Sequence, residues 1–167
     1  MKKVMKIFSL IIIIGLGCCS GTAMASWTGP QEIITGSWGN SPGQFYFGSG
    51  DADDSFPREI GVDNQGRIFV NDEYNARIQV FSGAGLLSKV IAAPEGVNKK
   101  LGWPFNMYVH PNGNIVAGYS GPQKYFFDES GNLIKKTDVF GDAFPTLQGF
   151  IFYVQDNKYD LYSPTGQ

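Results

Sequence analysis

The sequence predicts an all-β protein, and three observations support this prediction. The 167-residue chain contains 22 glycines together with 13 Phe, 8 Tyr and 3 Trp residues, a composition typical of short strands joined by tight turns. Long helical patterns are absent beyond the first 25 residues. A common order of apolar strands and glycine turns recurs three times, which indicates a chain built from repeated small sheets.

The first repeat, residues 56–92, is the most complete of the three. It opens on the pair Phe56-Pro57 and then alternates short apolar strands with turns, whose glycines supply the positive φ angles that tight hairpins need. Its predicted elements are a strand ending at Asp63, a turn at 64–66, a strand at 67–72, a polar corner, a strand at 76–81, a glycine turn at 83–85 and a strand at 86–92.

The second repeat, residues 103–137, follows the same plan after the pair Trp103-Pro104. Units of about 40 to 50 residues that hold several short strands are typical of β-propeller blades, which are small sheets stacked face to face. The sequence therefore predicts a propeller-like architecture of four-stranded blades. The predicted strands of the second blade lie at 107–109, 115–117, 125–127 and 133–137, with turns at 111–113 and 128–131.

The third repeat, residues 144–167, is shorter and opens on Phe144-Pro145. It has two predicted strands, at 150–154 and 158–162. Residues 31–36 resemble the last strand of the first repeat, so they are predicted to complete the third blade. The chain is therefore expected to carry three blades.

Three blades are too few to close a propeller ring, which needs about four to eight. We therefore expect two copies of the chain to assemble head-to-tail as a homodimer with a six-bladed ring, each copy supplying the missing strand of the other. Two alternatives stay open: the chain is a truncated propeller fragment, or it is an open three-blade wedge that needs another partner.

Residues 1–25 have the features of a secretory signal peptide. A basic start, residues 1–6, precedes the apolar residues 7–17, and Ala23-Met24-Ala25 matches the small-residue cleavage site. Residues 26–167 are then expected to form the mature domain, in the periplasm or outside the cell.

Cys18 and Cys19 both lie within this N-terminal segment. Cleavage after Ala25 would leave the mature domain without cysteine, so no disulfide is expected. The alternative is a lipoprotein, because Leu16-Gly17-Cys18-Cys19 partly matches a lipidation signal. A lipid on Cys18 or Cys19 would tether the protein to a membrane, and membrane association is expected in that case only.

The charge balance argues against a nucleic-acid partner. The full chain has 13 basic and 15 acidic residues, and several of the basic ones belong to residues 1–25. The mature domain is mildly acidic and lacks the basic surface that DNA or RNA binding requires. A protein, a second copy of the chain or a small ligand is the expected partner.

Residues 57–81 resemble one NHL repeat, and residues 36–45 are similar to the linker that usually precedes such a repeat. The resemblance implies a β-propeller, usually of six blades, that serves mainly as a binding platform. Some exported relatives of this kind are amidating lyases or lactonase-like hydrolases, and the fold alone does not choose among these activities. The matching positions are Pro57, Ile60, Gly61, Val62, Asp63, Gly66, Ile68, Phe69, Val70, Asp72, Asn75, Arg77, Ile78, Gln79, Val80 and Phe81.

Asp72, Asn75 and Arg77 form the sharpest polar cluster in the sequence, at the corner between two predicted strands. As a binding site, the cluster would contact a ligand, with the guanidinium of Arg77 offering two parallel hydrogen bonds. As a structural element, Asp72 would accept hydrogen bonds from Arg77 or the backbone and lock the hairpin. The structural interpretation predicts that a substitution of Arg77 reduces stability before it reduces binding.

Asp51, Asp53 and Asp54 are the candidate metal ligands, in a glycine- and serine-rich segment ahead of the first repeat. Closely spaced carboxylates on a flexible backbone provide the hard oxygen ligands that Ca²⁺ prefers. The residue spacing of an EF-hand loop is absent from this segment. The alternative is a solvated acidic loop in a protein without a cofactor.

Aromatic residues are the second group of candidate binding residues. Most are expected to pack between blades, whereas Phe45, Phe47 and Tyr119 are candidates for an exposed recognition surface, where aromatic side chains concentrate binding energy.

Catalysis is not expected. His110 is the single histidine of the chain, and it occupies the turn position that Asp63 holds in the first repeat. One imidazole does not make the multi-histidine metal site or the acid–base pair that a lyase or lactonase mechanism needs. The sequence therefore predicts an exported, non-enzymatic binding or assembly module. The alternative function is a metal-dependent lyase or lactonase-like hydrolase.

Overall fold

The computed structural model describes residues 31–46, 57, 59–97, 104, 106–118, 123–138, 143–154 and 158–167. These residues form three antiparallel sheets and one 3-10 turn, Glu73–Asn75, so the all-β prediction is confirmed. The first sheet contains β1 (Ile60–Val62), β2 (Ile68–Asp72), β3 (Arg77–Phe81) and β4 (Leu87–Ala92); the second contains β5 (Asn106–Val109), β6 (Ile115–Gly118), β7 (Gln123–Phe127) and β8 (Leu133–Asp138); the third contains β9 (Ala143–Pro145), β10 (Phe150–Val154) and β11 (Lys158–Tyr162).

Consecutive strands of the first two sheets pair as hairpins in one common register. Ile68 lies opposite Phe81 in the first sheet, and Ile115 lies opposite Phe127 in the second. Both sheets also have a bulge immediately before this phenylalanine. Local alternation and turn residues were therefore sufficient to predict the strands of these two repeats.

The sheets stack face to face, with the second sheet in the middle. A buried cluster that includes Ile78 and Tyr125 joins the first sheet to the second, and a cluster that includes Phe126 and Phe150 joins the second to the third. Neighbouring residues in a strand face opposite sides of the sheet, so β7 sends Tyr125 one way and Phe126 the other. The first strands also lie side by side, because β1 contacts β5 and β5 contacts β9.

Polar contacts repeat from one sheet to the next. Arg67 Nη1 donates to the carbonyl oxygen of Glu129 at 3.3 Å, and Asn114 Nδ2 donates to that of Pro164 at 3.0 Å. Each donor residue lies immediately before the second strand of its sheet, and each acceptor lies two residues beyond the third strand of the next sheet. The second sheet therefore meets the third as the first meets the second.

The fourth strands make a similar repeated contact. Lys89 Nζ, from the third residue of β4, donates to the carbonyl oxygen of Ser130 at 2.5 Å. Lys135 Nζ, from the third residue of β8, donates to that of Gly166 at 2.6 Å. In both cases, a fourth strand touches the turn that follows the third strand of the next sheet.

Residues 31–36 form no strand in the part of the chain that the structure describes. Ile33 and Ile34 instead pack on the outer face of the first sheet, in a cluster with Phe45, Val70 and Phe81. The pairing expected between residues 31–36 and the third sheet is therefore not made within one chain, because the two lie at opposite ends of the stack. A pairing between two copies stays a prediction.

The third sheet differs from the expected blade. Phe144 and Pro145 lie within its first strand, β9, whereas Pro57 and Pro104 precede β1 and β5, so the three aromatic-proline pairs are not equivalent. Pro145 is the last residue of β9, an edge strand of this sheet, where the missing N–H of proline is tolerated. The described part of this sheet has three strands rather than four.

The signal-peptide and lipidation predictions, including Cys18 and Cys19, fall outside the described residues. Within the residues that the structure describes, no helix has the length and apolar character needed to cross a membrane.

Replacement of Gly85 by alanine is expected to destabilise the protein more than the same replacement of Gly66. Both glycines have positive φ angles, +79° and +72°, which raise the free energy of alanine by roughly 1–2 kcal/mol. A Cβ at Gly85 would lie 1.7 Å from the carbonyl oxygen of Ile33, whereas one at Gly66 would meet nothing within 4 Å. This steric overlap should lower the free energy of unfolding of Gly85→Ala by about a further 1–3 kcal/mol, which urea unfolding would measure. Equal losses of stability in the two variants would contradict the packing of Ile33 against Gly85.

Candidate binding site at the corner of the first sheet

A buried ion pair lies at the corner between β2 and β3. Asp72 ends β2, the 3-10 turn follows, and Ala76 adopts a left-handed conformation with φ 51° that directs the chain into β3. This reversal brings Arg77 Nε to 2.7 Å from Asp72 Oδ2, with both side chains largely buried. Asn75 Nδ2 donates to the same oxygen at 2.9 Å, so the three residues predicted to cluster do so.

The guanidinium of Arg77 also binds the backbone of the segment before β1. Nη1 donates to the carbonyl oxygen of Asn40 at 2.7 Å. Nη2 donates to those of Ser41 and Gln44, at 3.0 and 2.8 Å. The guanidinium is thus used to hold residues 39–46 against the first sheet.

Gln79 extends this network along β3. Its Nε2 donates to the carbonyl oxygen of Gln44 at 2.7 Å, and its Oε1 accepts from the N–H of Gly43 at 2.8 Å. Gln79 is fully buried and was not among the predicted site residues. A polar side chain between two apolar residues of the strand, Ile78 and Val80, was the available signal.

The geometry of the cluster agrees with its structural interpretation. The N–H of Tyr46 donates to Asp72 Oδ1 at 3.2 Å, and Asn75 Nδ2 donates to the carbonyl oxygen of Gly39 at 3.0 Å. Buried polar groups that are paired in this way make a corner rigid and specify its conformation. Asp72, Asn75 and Arg77 therefore position the surface around them through hydrogen bonds made within the corner.

Two tyrosines stack on the outside of this corner. Tyr46 follows the anchored segment, Tyr74 is the middle residue of the 3-10 turn, and their ring centroids lie 5.5 Å apart at an interplanar angle of 22°. Tyr46 is 36% and Tyr74 41% exposed, and nearby in the chain Trp38 is 58% exposed. We call Trp38, Tyr46 and Tyr74 the aromatic corner. Tyr74 was not among the predicted binding residues, although an aromatic residue among polar neighbours in a turn was a usable signal.

Phe45 is a correction to the predicted recognition surface. It is fully buried and stacks on Phe81 with ring centroids 6.0 Å apart. Alternation along residues 45–46 turns Phe45 toward the first sheet and leaves Tyr46 outside, so Phe45 contributes to the core and Tyr46 to the surface.

The remaining predicted site residues are two aromatic residues and three aspartates. Phe47, Tyr119, Asp51, Asp53 and Asp54 lie outside the described residues. Among the residues that the structure does describe, no three His, Cys, Asp or Glu side chains come together as a metal site. The Ca²⁺ site stays a prediction.

His110 occupies the turn position predicted for it. The N–H of Asn112 donates to His110 Nδ1 at 3.2 Å, as the N–H of Gln65 donates to Asp63 Oδ1 at 2.9 Å in the first sheet. The imidazole is buried and meets Phe150 edge-on at 5.6 Å. Its position between the second and third sheets is that of a turn-forming core residue.

Two side chains of the second sheet have shifted pKa values, and both shifts have structural causes. Burial, followed by the charge of Asp138, raises the pKa of the Tyr125 phenol. The hydrogen bond from the side chain of Asn132, at 2.9 Å, is the main cause that lowers the pKa of the partly exposed Asp128 carboxyl. Asp128 shapes its own turn through this bond.

Comparison of the chain with models of known protein families gives no match, and comparison with curated protein sequences gives none either.

Proposed function

We propose that the protein is an exported, non-enzymatic β-propeller module that binds its partner through the aromatic corner. The observation that carries the propeller part is the repetition of equivalent contacts, Arg67 to Glu129 and Asn114 to Pro164, between successive sheets. A contact that repeats at every junction arises when one rotation relates each sheet to the next, as in a propeller. The NHL-like pattern of residues 57–81 also supports a propeller of that family. The signal-peptide pattern of residues 1–25 supports export of the protein.

The aromatic corner supports a binding role. Tyrosine and tryptophan present a large apolar surface with a polar tip and have few rotatable bonds, so they lose little entropy when a ligand covers them. Tyr46 and Tyr74 are also held in place, because the N–H of Tyr46 bonds to buried Asp72. Tyr74 belongs to the 3-10 turn whose last residue, Asn75, donates to the same carboxylate. A rigid, exposed aromatic pair is suited to a sugar ring or to an apolar or aromatic peptide side chain.

A non-enzymatic role is favoured by how the ionisable groups of the corner are used. Asp72 and Arg77 pair with each other while almost entirely buried, and the guanidinium also binds three backbone carbonyl groups. These contacts occupy the charged atoms of both side chains and hold them away from the surface. The corner therefore offers a shaped surface rather than acid–base chemistry.

Loss of one tyrosine from the aromatic corner is expected to weaken ligand binding strongly without unfolding the protein. The full chain would be applied to glycan and peptide arrays, and Tyr74→Ala should reduce the strongest wild-type signals at least tenfold, because truncating an aromatic residue that dominates a binding surface costs roughly 2 kcal/mol or more. Leu133→Ala is the matched control, since Leu133 is 48% exposed on β8. Wild-type signals that persist in Tyr46→Ala/Tyr74→Ala would overturn the assignment of this site.

A further inference from the structure

Building on the proposed propeller, we propose that its assembly partner is a second copy of this chain: residues 31–36 and the first sheet of each copy dock on the outer face and β11 edge of the other copy's third sheet.

Residues 31–36 lie against the first sheet in the position that β4, the fourth strand of the first sheet, has against the second sheet. In the junction of the first and second sheets, Ile91 of β4 lies against Gly131, whose absent Cβ would be 2.8 Å from Ile91 Cγ1. Gly85 has the same turn position in the first sheet, four residues after β3 as Gly131 is after β7. Ile33 lies against Gly85, with the absent Cβ 1.7 Å from the Ile33 carbonyl oxygen and 3.5 Å from its Cγ2. Ile33 thus meets the first sheet where Ile91 meets the second.

The hydrophobic clusters repeat the same relation. Ile91 belongs to the cluster between the first and second sheets, while Ile33 and Ile34 belong to the cluster on the outer face of the first sheet. Burial of apolar side chains on the outer face does not by itself require residues 31–36 to take the position of a fourth strand. The repetition indicates that a sheet belongs next to residues 31–36.

The third sheet presents the complementary surface. Phe150 and Phe152 face the second sheet, so Phe144 and Leu161 lie on the opposite face, because the register pairs both of them with the intervening position 151. Phe144 is 54% and Leu161 60% exposed. Two large apolar side chains therefore point away from the stack.

The positions equivalent to Leu161 are buried in the other two sheets. Leu161, Val80 and Phe126 each precede the last residue of the third strand in their own sheet. Val80 is 4% exposed and Phe126 0% exposed, because another sheet covers each of them. Leu161 is exposed because no further sheet covers the third sheet within the described part of the chain.

A strand edge is available beside this face. Among the described strands, β11 pairs only with β10, so its other edge has backbone groups that can receive a further strand, as in β-strand addition. The first and third sheets lie on opposite sides of the second, so residues 31–36 cannot reach β11 of their own chain. Each copy has one donor segment and one acceptor edge, and two copies close a ring with two identical junctions.

The test compares the full chain with Leu161→Lys by light scattering after size exclusion, across a hundredfold range of concentration. Wild type should have twice the mass of one chain, and Leu161→Lys should have the mass of one chain with an unchanged circular dichroism spectrum. Leu133→Lys, at a residue 48% exposed on the rim of the second sheet, should remain dimeric. A folded wild-type monomer at all concentrations, or open polymers of increasing length, would overturn the proposal.

A photoreactive phenylalanine at position 144 of the full chain identifies the occupant. A product of twice the chain mass, with the cross-link mapped to the first sheet of the second copy at or near β1, is the expected result, because the first strands of successive sheets lie side by side. Cross-links only to a different protein, or to no region of a second copy, would overturn self-docking. The array experiment tests the binding role independently of assembly. If the wild-type protein is a monomer but its glycan or peptide binding is lost in Tyr74→Ala, self-docking is wrong and the proposed binding function stands.

Discussion

Arg77→Ala is expected to lower the free energy of unfolding by about 3 kcal/mol, as breaking a buried ion pair on one side does in other proteins. The substitution leaves Asp72, which is 1% exposed, without its cation and removes the hydrogen bonds from the guanidinium to three backbone carbonyl groups. Asp72 keeps neutral donors from Asn75 and Gln79, which places the expected loss at the lower end of the range for such pairs.

Urea unfolding at one fixed protein concentration measures this loss, because the apparent stability of an assembling protein depends on concentration. Lys136→Ala is the control, since it removes an exposed cation that lies 5.8 Å from the centre of the Tyr125 ring and should change stability by about 1 kcal/mol or less. Arg77→Lys should recover part of the loss, because it restores the charge without the planar fork. A loss below 1 kcal/mol in Arg77→Ala would show that the corner is not held by this network.

Phe126→Ala is expected to lower the free energy of unfolding by about 3–5 kcal/mol, the usual effect of emptying a buried phenylalanine site. Phe126 is fully buried, and its ring lies 6.0 Å from the ring of Phe150, 6.2 Å from that of Phe152 and 6.0 Å from that of Tyr162. It is the central side chain of the junction between the second and third sheets, so the third sheet should separate from the stack first.

Hydrogen exchange and urea unfolding together check this prediction. Backbone amides of β10 should lose protection in Phe126→Ala at denaturant concentrations where amides of β2 remain protected. Leu133→Ala, at an exposed position of the neighbouring strand, should leave both groups unchanged. Uniform loss of protection across all three sheets would contradict a stack in which this junction opens separately.

The strands of the first two repeats follow from local chemistry. Alternation of apolar residues and glycine turns predicted β2, β3, β6 and β7 because those strands pair with sequence neighbours through short hairpins. The corner residues Asp72, Asn75 and Arg77 were likewise identified from their spacing. Their structural role could also be anticipated, because short polar side chains at a strand end commonly bind nearby backbone groups.

Long-range packing accounts for what the sequence did not show. The burial of Phe45 and the exposure of Tyr46 depend on how residues 39–46 are held against the first sheet. Arg77 and Gln79, more than 30 positions along the chain, hold this segment through the carbonyl oxygen of Gln44. The exposed state of Leu161 follows from the number of sheets in the stack, which no property of β11 itself reveals.

The corner between β2 and β3 combines both sources of information. Its polar residues and its turn could be predicted from the sequence, because hydrogen bonds between residues three to five positions apart depend only on the local chain. The stacked pair of Tyr46 and Tyr74 was not, because the two residues meet only after residues 39–46 have been bound to the first sheet. Local spacing therefore predicted the supports of the candidate site, whereas its surface arose from contacts that only the folded chain brings together.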